Sequence, residues 1–205
     1  MKYIIHRGIT SHNVKENSYL SIKKAIRDYS SCGVEFDIRL SKDKKIVLSH
    51  DSFINLKKIE NINYLDIIKD EYLTTLDKVL SIDTDKIFLI DIKVSGNYKV
   101  FADTILKHLN DCHRNIYLCS FNKKIIRYLK KKSKYKVGCI LLAYKRKNDY
   151  DFVMVNYRGI SNNKIHKIRN KKIFLWTIKN EKELKDVHDK FSNVKDYYLI
   201  VDKEE

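Results

Sequence analysis

Residues 33–38 read Gly33-Val34-Glu35-Phe36-Asp37-Ile38. A short apolar run of this kind is the pattern of a buried strand, yet this one carries two carboxylates. Glu35 and Asp37 lie two positions apart, so on a strand both side chains leave on the same side. Two neighbouring carboxylates in a buried rim are costly unless a cation neutralises them. The plainer reading pairs Glu35 and Asp37 with Arg39 and nearby lysines at a solvated strand end.

Outward from this run the same rhythm repeats. Apolar, β-branched runs fall at 3–6, 33–38, 87–92, 115–119, 136–142, 151–155, 173–177 and 198–201. Helix-like segments lie between most of them, at 18–29, 75–82, 98–109, 122–132, 163–170 and 181–191, with Asn17-Ser18 and Asn180 where N-caps belong. The segment 143–150 is short and weakly patterned. Strands alternating with helices imply parallel strands buried on both faces. Eight of them predict a (β/α)₈ barrel, compact beside the usual ~250 residues, with a doubly wound open sheet as the structural alternative. Two extra short runs, 45–48 and 53–59, predict an insertion after the second strand, read as a hairpin. No linker or low-complexity stretch divides the chain, so residues 1–205 are expected to form a single domain.

In a parallel α/β fold the catalytic groups gather at the C-terminal ends of the strands. Those ends here are His6-Arg7-Gly8, Glu35-Phe36-Asp37 leading on to His50-Asp51, Asp91-Ile92-Lys93, Ser120-Phe121, Trp176-Thr177 and Asp202. Asp91, on the same side of the next strand, supplies a third oxygen ligand to Glu35 and Asp37. Three carboxylates without a thiolate suit a hard cation, Mg²⁺ or Ca²⁺. His6 and His50 beside such a site are what phosphoryl transfer needs: one takes a proton from the nucleophile and the other gives one to the leaving oxygen. Arg7 and Lys93 would offset charge on the phosphate oxygens. The remaining histidines (12, 108, 113, 166 and 188) receive no role.

The composition bounds the partners. With 42 Lys+Arg against 26 Asp+Glu the formal charge is +16, a balance that invites nucleic acid, phospholipid surfaces or phosphorylated small molecules. The chain is also rich in Lys, Ile, Asn and Tyr with no proline and five glycines, so biased composition accounts for part of that charge. No recognition motif for nucleic acid is present. Cys32, Cys112, Cys119 and Cys139 form no CxxC pair and read as reduced thiols. No apolar run reaches the ~18 residues of a membrane span and no signal peptide is visible, so the expected location is the cytoplasm.

The blocks His6-Arg7-Gly8, Glu16-Asn17-Ser18, Gly33-Val34-Glu35-Phe36-Asp37, Ser41-Lys42-Asp43 and His50-Asp51 together resemble the glycerophosphodiester phosphodiesterase family. Weaker agreement continues through Ile90-Asp91-Ile92-Lys93, Ser120-Phe121, Trp176-Thr177 and Ile200-Val201-Asp202. The resemblance implies a (β/α)₈ barrel that hydrolyses glycerophosphodiesters to an alcohol and glycerol 3-phosphate. In that family a neighbouring glycerol hydroxyl attacks phosphorus first and water then opens the cyclic phosphate. The resemblance further implies Glu35, Asp37 and Asp91 as ligands of one divalent cation and His6 and His50 as the acid/base pair. It puts Arg7 and Lys93 on the phosphate and Phe121 and Trp176 along the substrate pocket. The departures are Asp91 where the family usually has Glu, Lys15 for a proline, Lys44 for a glycine, and a brief insertion near residues 52–73. Two rival readings stand beside it. Lysophospholipase D and sphingomyelinase D barrels use a similar site with Asp as the third ligand, and a basic surface would bring such an enzyme to anionic membranes. The other rival is a barrel that binds anions without catalysis.

Overall fold

The computed structural model describes residues 1–70, 73–144, 149–168, 171–194 and 197–205, with the side chains of 69 and 70 left aside. The chain runs β1 (Lys2–His6), α1 (Tyr19–Arg27), β2 (Ser31–Leu40), β3 (Ile46–Leu48), β4 (Phe53–Ile54), β5 (Lys57–Lys58), α2 (Tyr64–Asp70), α3 (Leu76–Leu80) and β6 (Ile87–Ile92). It continues with α4 (Tyr98–His108), β7 (Ile116–Ser120), α5 (Lys123–Lys132), β8 (Lys136–Leu141), β9 (Phe152–Asn156), α6 (Asn162–Ile165), β10 (Lys172–Ile178), α7 (Glu181–Lys190) and β11 (Tyr198–Val201). The strand order β1-β11-β10-β9-β8-β7-β6-β2, with β1 also paired to β2, closes the sheet. Every pairing in that ring is parallel. Closure removes the open doubly wound sheet from consideration and bears out the expected eight-stranded barrel.

The alternation of each strand sorts its side chains inward and outward. Inside, Ile4, Leu89, Cys119, Ile140, Met154, Phe174 and Ile200 fill the barrel. At the end away from the strand C-termini, Tyr117, Phe152, Phe174 and Tyr198 pack edge-on or stacked with centroids 4.9–5.7 Å apart. Outside, the apolar faces of the helices cover the strands in two larger clusters. Asparagines at 97, 122 and 180 and Ser18 cap α4, α5, α7 and α1 by accepting first-turn amides, so helix starts are fixed without proline. Cys119 and Cys139 are buried, Cys32 and Cys112 partly so, and all four are free.

Two expectations need correction. The insertion is not one hairpin: β3 returns antiparallel along the extended end of β2, pairing Ile38 with Leu48, while β4 and β5 form a separate two-residue hairpin. The reason is the run of ten residues in β2, whose overhang offers β3 a partner. The helix expected over 163–170 is a single turn, Asn162–Ile165, and residues 169–170 lie outside the described residues, as do 145–148 of the weakly patterned segment. Helix α2, seven residues long, was not expected. Lys44, standing where the family usually has glycine, keeps the glycine-like backbone with φ 63°.

Candidate active site

Register brings the polar residues together at one end of the barrel. His6 lies beside Glu35 in the β1–β2 pairing, and Asp37 beside Asp91 in β2–β6. Glu35, Asp37 and Asp91 are at most 4% exposed, and their ligand oxygens lie within 4.8 Å of one another. The structure thus joins all three residues expected to ligate a cation.

The turn after β1 is built for this rim. Arg7 and Gly8 take left-handed φ values of 55° and 89°, and a side chain at position 8 would collide with Ser21 at 2.5 Å. The reversal turns the Arg7 amide onto Glu35 Oε2 (3.3 Å) and its guanidinium onto Asp37 Oδ2 (3.0 Å) and Glu16 Oε1 (2.9 Å). Asn17, also left-handed at φ 53°, braces Asp37 twice. Its amide donates to Asp37 Oδ2 (2.9 Å) and its carbonyl accepts from the Asp37 backbone N–H (3.0 Å). Lys93 Nζ sits between two carboxylates, 3.0 Å from Asp37 Oδ1 and 2.5 Å from Asp91 Oδ2.

The charge balance of the cluster is uneven. Burial, then Asp37 and Asp91, push Glu35 well above the usual carboxylate range. Burial lifts Asp91 to about 6, with Lys93 opposing. Asp37 is buried too, but Lys93, Arg7 and the Asn17 hydrogen bond hold it below its ordinary value. Asp91 Oδ1 is buried with no hydrogen-bond partner, and such a group calls for one. An orphaned carboxylate oxygen beside a carboxyl forced toward its protonated form fits a site that takes a hard cation.

Both expected histidines line the same cavity of about 620 Å³. His6 Nδ1 is 2.6 Å from Asp202 Oδ1, and its Nε2 is 3.8 Å from Glu35 Oε2. The carboxylate can only accept, so Nδ1 carries the proton and Nε2 is left free for chemistry. His50 Nδ1 is 2.9 Å from Asp51 Oδ1. Its backbone carbonyl accepts from Arg39 Nε (3.1 Å) and Nη2 (2.5 Å), while Arg39 Nη1 donates to Ser95 Oγ (3.0 Å). Arg39 therefore does not pair with Glu35 or Asp37 as the plainer reading had it. It fixes the loop that carries His50. Phe121 and Trp176 meet edge to face at 5.8 Å and line the cavity with them. Arg7 and Lys93 line it as well, although their closest partners here are carboxylates.

Sequence reasoning gave Asp202 and Asn17 no role at the site, and its plainer reading gave Arg39 the wrong partner. Asp202 ends the last strand, and closure alone makes that strand the neighbour of the first. Asn17 belongs to a block already singled out, and its service to Asp37 depends on a left-handed backbone the sequence does not display.

A closed (β/α)₈ barrel with a buried carboxylate trio and two histidines at its C-terminal rim defines a class of barrel proteins built around an acidic rim site. A family model described as the glycerophosphoryl diester phosphodiesterase family matches residues 6–202, and the chain belongs to that family. A glycerophosphodiester phosphodiesterase of Caldanaerobacter subterraneus subsp. tengcongensis is 26% identical over 160 residues, or 67% of this chain; the chain spans 65% of that relative's length. The crystal structure of a glycerophosphodiester phosphodiesterase from Thermotoga maritima superimposes with a TM-score of 0.74 at 26% identity, covering 98% of this chain and 94% of that one. An Oleispira antarctica phosphodiesterase, solved in complex with its product sn-glycerol-3-phosphate, shares the fold at a TM-score of 0.79 and 16% identity over 100% of this chain and 92% of its own.

Proposed function

We propose that this protein hydrolyses glycerophosphodiesters to an alcohol and sn-glycerol 3-phosphate in the cytoplasm, with one divalent cation, Mg²⁺ or Ca²⁺, held by Glu35, Asp37 and Asp91. The observation that carries this reading is the convergence of three buried carboxylates on a cavity that His6 and His50 also line. Family membership and the product bound to the Oleispira relative support the substrate.

When bound, the cation would polarise a phosphoryl oxygen and stabilise the charge that builds there. The rest falls to the chain. Arg7 and Lys93 line the same cavity and can turn from their carboxylate partners to the phosphate. One histidine accepts the proton of the attacking glycerol hydroxyl as its oxygen bonds to phosphorus. The other protonates the alcohol oxygen as its bond to phosphorus breaks. With roles exchanged, the pair then activates water to open the cyclic phosphate. Asp202 keeps His6 in the tautomer that leaves Nε2 available. Phe121 and Trp176 supply an apolar wall to the pocket.

The test is release of glycerol 3-phosphate from glycerophosphocholine in EDTA, Mg²⁺ or Ca²⁺, by wild type and His50→Ala. Cation-dependent release that falls at least ~10²-fold in the variant is expected. Release that ignores EDTA, or full activity in His50→Ala, would overturn the assignment.

A further inference from the structure

Among the described residues, four of the nine exposed large apolar side chains stand at the catalytic end of the barrel: Phe53 (52% exposed), Leu56 (95%), Phe121 (49%) and Leu142 (68%). Phe121 directly follows β7 and Leu142 directly follows β8. Phe53 shares a groove with His50, and Leu56 stands at the tip of the β4–β5 hairpin. Phe121 lines the catalytic cavity, as does His50, which shares its own groove with Phe53.

Leu56 stands out by its backbone. A type I′ hairpin turn needs positive φ at both central positions and is best made by Asn-Gly. Asn55 suits the first, at φ 47°; Leu56 occupies the second at φ 64°, where a leucine is strained and a glycine is not. The fold thus holds a bulky apolar group out in solvent where the smallest residue would fold better. Leu142 is fixed as well. Its carbonyl fills the space beside Gly159, where a Cβ would come within 1.8 Å, and the Tyr144 amide donates to the Gly159 carbonyl at 3.0 Å.

The surrounding charge is positive. Lys57 and Lys58 on the hairpin are exposed, as are Lys123 and Lys124, which open α5 two residues after Phe121. Helix α5 contains no acidic residue, and the whole chain carries +16. The carboxylates on this face include the exposed Asp51 beside His50, Asp66 in the hairpin groove, Asp202 and Glu204 at the cavity, and two engaged by arginines, Glu16 on Arg7 and Glu183 on Arg158. Apolar tips ringed by lysines match a bilayer whose head groups are anionic: the tips enter the acyl boundary and the ammonium groups meet phosphates. A second copy of so basic a chain would be repelled, and a nucleic acid would leave Leu56 and Leu142 in water.

We infer that this rim is a docking surface for an anionic phospholipid bilayer. The experiment is co-sedimentation of the full chain with vesicles of phosphatidylcholine alone and of phosphatidylcholine with phosphatidylglycerol. It compares wild type, the double variant Leu56→Ser/Leu142→Ser, and Tyr29→Ser, which removes an exposed aromatic between α1 and β2 at the opposite end of the barrel. Wild type and Tyr29→Ser should bind phosphatidylglycerol vesicles alike, and the double variant about tenfold more weakly at unchanged charge. All three should hydrolyse glycerophosphocholine equally, since neither Leu56 nor Leu142 lines the catalytic cavity. Failure of wild type to bind, equal binding by the double variant, or an equal loss in Tyr29→Ser would overturn the docking surface. So would salt-sensitive RNA binding or self-association without vesicle binding. Vesicle binding without any hydrolysis would sink the proposed reaction and leave the surface standing, whereas hydrolysis of the soluble diester without binding would do the reverse.

Discussion

Replacing Asp91 by Asn isolates the cost of the buried carboxylates, because Asn keeps the shape and cannot ionise. Burial, with Asp37 adding and Lys93 opposing, lifts the Asp91 carboxyl from 3.8 to about 6 in the folded chain. A carboxyl raised on folding holds its proton more tightly in the native state. Its contribution is therefore neutral below about pH 4 and turns unfavourable as pH climbs toward 6. A rise of about two units at ~1.36 kcal/mol each amounts to about 3 kcal/mol. In EDTA, wild type and Asp91→Asn should melt together near pH 4. By about pH 7 the variant should melt roughly 6–12 °C higher, given ~2–4 °C per kcal/mol for a chain of this size. Mg²⁺ or Ca²⁺ should reverse the order, since the cation neutralises the wild-type trio and the variant lacks one of its charges. Thermal melts by circular dichroism across that pH range, with EDTA and with each cation, read both effects. Parallel pH profiles in EDTA would refute the raised Asp91 carboxyl. Equal stabilisation of both proteins by the cation would refute Asp91 as a ligand.

Asp202→Asn should lower kcat by roughly 10–100-fold with little change in KM or melting temperature, because an amide can donate to His6 Nδ1 and shift the proton to Nε2; unchanged kcat in steady-state kinetics would refute that role. Arg39→Ala frees the His50 carbonyl and should cost about tenfold in kcat through misplacement of the His50 loop, while the cation's effect on melting stays as in wild type. Lys44→Gly relieves a left-handed lysine and should stabilise the protein by roughly 0.5–1 kcal/mol in urea unfolding; a loss of stability would show that the lysine side chain holds the turn.

The strands were legible because their runs are apolar and β-branched, and the carboxylates because a pair at i and i+2 inside such a run shares one face, although a solvated strand end was the plainer reading. Glu35 and Asp37 therefore announced both a buried strand and a charged rim. Contacts that depend on the path of the backbone were hidden. Arg7 and Lys93 could be placed near the site, but their grip on Asp37 and Asp91 follows from the left-handed turn at Arg7-Gly8 and from the register of β2 on β6. Arg39 was misplaced because its partner is the His50 carbonyl, a group every residue possesses and no sequence pattern marks. The insertion was misread for a related reason: strand-forming runs do not name their partners, and the overhang of β2 competed with the next run for β3.

Closure of the barrel also has a consequence during synthesis. His6 finds its carboxylate partner 196 residues later in the chain, and β1 is flanked by β2 on one side and β11 on the other. Until the last strand has left the ribosome, β1 has an open edge and His6 has no Asp202 to set its tautomer. A nascent chain can assemble the carboxylates of β2 and β6 well before it can assemble the dyad. Release of the last strand is thus the step that completes the rim, and a polypeptide stopped before β11 would carry the cluster of negative charge without the His6–Asp202 pair.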